Sequence, residues 1–230
     1  MPTITTEDGT KIVLSEEQYS EIIKKSEKNK FTIKNRFTGD IIFASEKTTW
    51  KEVIKEAIDA RANLTGADLT GADPTDANLT DANLTRANLT CANLTHADLT
   101  GAKLTGADLT GAKLTCAKLT GSDLMDSNLT HADLTCANLT GADLTCADLT
   151  GAKLTDADLT RANLTCANLT HADLTCANLT HADLTGADLT GIEVKGCNFY
   201  FGKSFLGLET FVKYIHTIKK NGKLLDVPNK

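Results

Sequence analysis

Between Ala62 and Thr190 apolar and polar positions recur every five residues: Ala, then Asn, Asp or Lys, then Leu, then Thr, then a variable residue. Of the 26 central positions from 64 to 189, 25 are Leu and one is Pro74. Ala stands two residues earlier except at Ser122 and Ser127, and Thr one residue later except at Met125. A period of five fits neither regular element. On an α-helix successive Leu would step by about 140° and smear around the cylinder. On a straight strand they would alternate between faces. The conflict disappears if the chain bends once per unit, between Thr65 and Ala67 and at each equivalent place. Ala and Leu then share an inner face, and the other three residues lie outside. Such a coil buries a continuous core by stacking on its neighbours, about 4.8 Å apart.

The residue before each Leu sets the coil size, because stacked like charges repel. A fifteen-residue coil stacks 6 like-charged pairs out of 25, and a twenty-five-residue coil 7 out of 23. A twenty-residue coil stacks 2 out of 24, Asp123 over Asp143 and Asp173 over Glu193. One column then alternates charged and neutral groups: Asp68, Asn88, Asp108, Asn128, Asp148, Asn168, Asp188. Another contains Lys113, Asp133, Lys153 and Asp173. Four pentads per coil predict a rod of about seven coils, roughly 30–35 Å long.

The run from Ala62 to about Phe201 strongly resembles the pentapeptide-repeat proteins. That resemblance implies a mainly β fold, the right-handed quadrilateral β-helix. The departures are Pro74, the Ser122/Met125/Ser127 patch, and the drifting units Ile192–Gly196 and Cys197–Phe201.

A solenoid exposes its core and ladder at both ends and needs caps. Residues 1–61 read as a small α+β region ahead of the 62–201 rod. Ile4–Thr6 and Lys11–Leu14 flank Glu7-Asp8-Gly9 as a hairpin. Ser15 with Gln18 forms a capping box for a helix carrying Tyr19, Ile22 and Ile23. Phe31–Asn35 and Asp40–Ala44 around Thr38-Gly39 read as a second hairpin. Thr49 with Glu52 opens another helix, whose stripe of Trp50, Val53, Ile54, Ala57 and Ile58 should plug the first coil. Lys30–Phe43 with this helix also resembles a leader found before the repeats of some bacterial and phage members of the family.

Residues 202–230 should hold a capping helix from about 207 to 219. Phe201, Phe205, Leu208, Phe211, Val212 and Ile215 would either cover the last coil or pair with a second copy. Some members of the resembled family dimerise through this end.

Charge is uneven. Residues 62–201 carry 17 acidic and 7 basic side chains, a net −10, within a chain of net −6. An acidic rod disfavours nucleic acid phosphates and anionic lipid and attracts a basic protein surface. The densest acidic patch is Asp123, Asp126 and Asp143, and with Asp148 these form the candidate partner surface. With no apolar leader and no 18-residue apolar run, the expected location is the cytoplasm. Seven Cys, an odd count, fit a reducing compartment.

The variable position holds ten Gly, six Cys, four His, four Asp and two Arg. His96, Cys116 and Cys136 fall in one column, but parallel outward side chains do not converge on a metal. Cys146 and Cys166 stack at a spacing a disulfide could span, with reduced thiols the expected state. No nucleophile–base pair, phosphate loop or carboxylate cleft can be assigned, so no catalysis, cofactor or metal is expected. The sequence therefore predicts a scaffold for a protein partner. The alternative comes from the resemblance: some family members bind type II topoisomerases and protect against quinolones with an acidic rod shaped like duplex DNA. This chain shares the acidity, lacks the long loops of plasmid-borne members, and carries four Lys within its pentads. Pairing through the C-terminal end predicts that Phe211→Asp lowers the molar mass measured by light scattering; an unchanged mass leaves only the cap.

Overall fold

The computed structural model of the chain describes residues 3–5, 11–13, 15–18, 20 and 31–198. The rod is explained by where one pentad sends its five N–H groups. In the unit Ala87–Cys91, Ala87 N–H donates to the Leu84 carbonyl at 2.9 Å and closes the preceding corner. Asn88 donates back to Ala67 at 2.8 Å, while Leu89 and Cys91 donate forward to Asp108 and Thr110 at 2.7 and 2.9 Å. The fifth donor, Thr90, goes to the side-chain Oδ1 of Asn88 at 3.1 Å. Every donor of the unit is satisfied without a long strand.

Parallel pairings join residues twenty apart at every fifth position from Asn78–Asp98 to Asn178–Asn198. Each coil is therefore four pentads, as the charge columns predicted, with one pairing on each side of a square. Lys113, Asp133, Lys153 and Asp173 stand in one column, and Asp123 pairs with Asp143.

The corner is the Thr–variable pair. Each variable residue from Gly66 to Gly196 has a φ between 55° and 73°. A left-handed residue at the second central position is what a type II turn requires. Sixteen of these residues are not Gly, although the conformation costs an L-residue about 1–2 kcal/mol. Ladder bonds on both sides of each corner hold it there.

All 25 central Leu are at most 2% exposed, and the Ala positions from 67 onward line the same core. Pro74 is buried but brings no N–H, and Asp73–Asn93 is missing from the sequence of pairings. Ser122 and Ser127 replace inward Ala and are both 1% exposed. Ser122 Oγ donates to the Leu119 carbonyl at 2.9 Å, whereas the Ser127 hydroxyl has no partner among the described residues.

The N-terminal region reaches the rod through the part from Phe31 onward. Strands β1 (Thr3–Thr5) and β2 (Lys11–Val13) form an antiparallel hairpin. Ser15 and Gln18 make a reciprocal capping box at 3.0 and 3.1 Å. Tyr19, Ile22 and Ile23 lie outside the described residues. The second hairpin, β3 (Phe31–Asn35) and β4 (Ile41–Ser45), forms as expected with its second strand one residue later. Beyond the sequence expectation, β3 also pairs antiparallel with β5 (Ala67–Asp68) and covers that edge of the first coil.

Helix α1 (Trp50–Asp59) buries Val53, Ile54 and Ala57 in the core cluster that includes Leu64. The Trp50 ring meets Phe31 edge-on with centroids 4.5 Å apart. Thr49 caps the helix by accepting from Glu52 N–H at 3.3 Å. The Glu52 carboxylate answers by accepting from the Thr49 hydroxyl at 2.8 Å, not from the Thr49 amide that a full box would use. At the other end, Arg61 is left-handed (φ 54°) and donates to Ile58, while Ala62 donates to Ala57, each at 2.8 Å. This Schellman turn aims the chain into the first pentad.

The two inward substitutions at the core define a test. Ser127→Ala should stabilise the rod by about 1 kcal/mol by removing an unsatisfied buried hydroxyl. Leu129→Ala, two residues on, should destabilise it by about 3 kcal/mol. Urea unfolding of both variants checks the two signs.

Candidate functional site

With the core filled by Ala and Leu, the chemistry of the rod lies in three outward positions. The Asx position before each Leu has a structural task that the sequence reading missed. At most of these positions Oδ1 accepts both the N–H and the hydroxyl of the Thr two residues on, as Asp148 does from Thr150 at 3.0 and 2.6 Å. A carboxylate and an amide present the same Oδ1, which explains why Asp and Asn interchange along the columns. Lys103, Lys113, Lys118 and Lys153 lack that acceptor. At two of these sites the Thr hydroxyl turns to the next coil, Thr105 to Asp123 at 2.7 Å and Thr155 to Asp173 at 3.0 Å.

The structure places the four acidic candidates around one corner of the rod. Asp123 and Asp143 pair on one side, Asp126 stands exposed at the corner that follows Asp123, and Asp148 lies on the next side. Asp123, Asp143 and Asp148 are half-buried. Asp123 has both oxygens engaged, Oδ1 by Met125 N–H at 3.1 Å and Oδ2 by Thr105. Asp143 holds Thr145 through Oδ1 at 3.0 and 2.6 Å. These groups therefore build the coil and carry charge at once. Met125, where Thr stands elsewhere, puts a 37%-exposed thioether beside them. The C-terminal candidates Phe201, Phe205, Leu208, Phe211, Val212 and Ile215 lie outside the described residues.

Two columns bring opposite charges together. Lys118 Nζ lies 3.2 Å from Asp98, and Lys153 Nζ 3.9 Å from Asp133. The Thr100 hydroxyl, aided by Lys118, holds the Asp98 carboxyl below its ordinary range against some desolvation. At Asp173 burial pushes upward but is outweighed by bonds from Thr175 and Thr155 and by Lys153, so this carboxyl also lies low.

The variable side chains lean along the rod toward the next coil. His131 lies where a Cβ on Gly151 would stand, and His171 does the same at Gly191. Their column reads Gly71, Cys91, Gly111, His131, Gly151, His171, Gly191, large against absent side chains. That alternation was visible in the sequence once read twenty residues apart, and the reading by residue counts missed it. No group of three or more His, Cys, Asp or Glu among the described residues could hold a metal. All seven cysteines are free; burial pushes the Cys197 thiol up to about 12, and its Sγ contacts the Leu174 carbonyl.

Short sides, one corner per pentad and a twenty-residue register define a four-sided β-solenoid. The family model for pentapeptide repeats matches eight copies over residues 60–91, 92–130, 122–161 and 162–199. The chain belongs to the pentapeptide-repeat family, whose members fold as right-handed quadrilateral β-helices. Among solved structures it is similar to the pentapeptide-repeat protein Rfr23 from the cyanobacterium Cyanothece 51142. That match has 30% identity, covers 46% of this chain and 86% of that one, and has a TM-score of 0.46. HetL from Nostoc sp. strain PCC 7120, involved in heterocyst differentiation regulation, shares 30% identity over 60% of this chain and 78% of its own, with a TM-score of 0.33. The plasmid-mediated fluoroquinolone resistance protein QnrB1 shares 21% over 63% and 84%, with a TM-score of 0.28. None of the curated proteins matches the chain in sequence.

The depressed carboxyls make stability depend on pH with a definite sign. A folded-state value below the unfolded one contributes stability above the ordinary carboxylate range, lost as pH falls through the folded value. Unfolding should therefore become easier below about pH 4. Asp98→Asn with Asp173→Asn, which keep Oδ1, should flatten that slope in urea titrations between pH 2 and pH 6.

Proposed function

We propose that the chain is a non-catalytic scaffold of about seven coils, closed at its far end by the C-terminal segment, that offers flat acidic sides to a protein partner. One observation carries this reading. The inner face is committed to Ala and Leu, and the regular outer face spends its acceptors on the corners, leaving charge and shape as what the surface presents. An open hollow lined by Ala44, Ser45, Glu46, Lys47 and Glu56 lies at the N-terminal hairpin, away from the acidic corner. No helix of the described residues is long and apolar enough to cross a membrane. The cytoplasm is the proposed compartment, where exposed thiols stay reduced.

A second reading, a DNA mimic that binds a type II topoisomerase, is favoured by the net −10 of residues 62–201. Magnitude places it second. Spread over about 34 Å of stacked coils, that charge is about one per 3.4 Å, half the density of duplex DNA.

The quadruple variant Asp123→Asn, Asp126→Asn, Asp143→Asn, Asp148→Asn separates these readings, because it removes charge while keeping each Oδ1. Tagged protein in an extract of its native host should retain a specific partner that the variant releases, with gyrase supercoiling unaffected at high protein excess. Inhibition of supercoiling by the native chain and not by the variant would instead establish the mimic. Equal capture by both proteins removes the acidic corner as the contact.

A further inference from the structure

Six of the seven cysteines occupy corner positions, and four of them fall into two adjacent pairs. Cys116 and Cys136 are twenty residues apart in one column, and Cys146 and Cys166 are twenty apart in another. Parallel pairings bracket each pair, Lys113–Asp133 and Lys118–Asn138 around the first, Asp143–Asn163 and Asp148–Asn168 around the second. The four backbones are superimposable in kind, with φ of 56° and 57° in one pair and 57° and 58° in the other. Their amides donate alike to the Thr carbonyl of the next coil, Cys116 to Thr135 and Cys146 to Thr165, each at 2.9 Å. The ladder thus sets the paired Cα atoms about 4.8 Å apart, inside the span of a disulfide.

The direction of the thiols also fits. Where a corner Cys faces Gly in the next coil, its Sγ lies close to the place of the missing Cβ: 3.2 Å for Cys166 over Gly186 and for Cys176 over Gly196, 3.6 Å for Cys91 over Gly111. In a formed disulfide the sulfur of one residue sits about 3 Å from the Cβ of the other, as bond lengths dictate. A corner Cys therefore already aims its sulfur near the distance at which a Cys in the next coil could meet it. Neighbouring thiols feel each other: after desolvation, Cys116 is the next cause that raises the Cys136 thiol, and Cys166 does the same for Cys146.

We propose that Cys116–Cys136 and Cys146–Cys166 are reversible oxidation sites, two disulfide staples that join successive coils when a small-molecule disulfide is supplied. The thiolate of one cysteine attacks the small disulfide, releases one small thiol and leaves a mixed disulfide. Its column neighbour attacks the protein-bound sulfur, forming the Sγ–Sγ bond and releasing the second small thiol. Two protein thiols lose two electrons, the small disulfide gains them, and the two thiol protons leave on the released thiols. Three of the four thiols are exposed and Cys116 is half-buried, so the reagent has access. Cys91 and Cys176 face Gly and have no exposed thiol in an adjacent coil of their column, and Cys197 is buried. In a reducing compartment the staples stay open and the scaffold reading stands unchanged.

The test is incubation of the reduced full chain with oxidised glutathione, followed by alkylation in denaturant and tryptic mapping without reductant. Trypsin cuts after Lys118, Lys153 and Arg161, so the two staples together should join three fragments, 114–118, 119–153 and 162–195. Cys136 and Cys146 share the middle one, and Cys136→Ser and Cys166→Ser, made singly, assign each linkage. The expected result is those two linkages within a monomer, with Cys91 and Cys176 alkylated. The unfolding midpoint should rise by roughly 5–10 °C on oxidation, and Cys136→Ser with Cys166→Ser should abolish the rise. Alkylation of all four paired cysteines, glutathione adducts that never resolve, or disulfides formed only between molecules would overturn the proposal. So would staples that lower the midpoint.

Discussion

One constraint governs this molecule: the backbone must turn a corner every five residues with a left-handed residue at the bend. The bend is secured from three directions. The Leu carbonyl accepts the next Ala N–H, the Asx side chain holds the Thr amide, and the left-handed residue donates to the coil ahead. No single contact among these is strong, since one hydrogen bond contributes about 1 kcal/mol net. Repetition makes them collectively decisive. Because each corner is held by the coil after it, an isolated coil would have nothing to oppose the strain of Cys, His, Asp and Arg in that conformation.

Much of this was legible in the residues. Leu and Ala spaced two apart, followed by Thr and a Gly-rich position, fixed the inner face and the corner. Charge repulsion between Asx positions fixed the twenty-residue register, confirmed by pairings such as Lys113–Asp133 and Asp133–Lys153. The hairpin near Gly39 and the helix opened by Thr49 were also readable. Less legible was the left-handed conformation of the non-Gly corners, because Cys91 or His131 in isolation carries no such preference. The pairing of β3 with β5 was hidden for a different reason. It joins residues more than thirty positions apart, and no local pattern marks which edge will be covered.

The acidic corner illustrates the same division. Its composition was plain from Asp123, Asp126, Asp143 and Asp148, and the stacking of Asp123 on Asp143 followed from the register. That Asp123 serves both Met125 and Thr105 depends on Lys103, which offers the Thr105 hydroxyl no acceptor in its own coil. A partner surface is harder still to read, since solvent-facing positions are free to vary while the corner chemistry holds.

The twenty-residue coil gives the chain something like a reading frame. Inserting one pentad would leave every leucine inside and every bend intact, so the rod itself would tolerate it. All surface downstream would nevertheless rotate by a quarter turn relative to what lies before it, and Lys153 would no longer sit above Asp133. Growth that preserves the pattern of the outer sides therefore proceeds by whole turns of the solenoid. Length and surface identity are separately inherited properties of this fold.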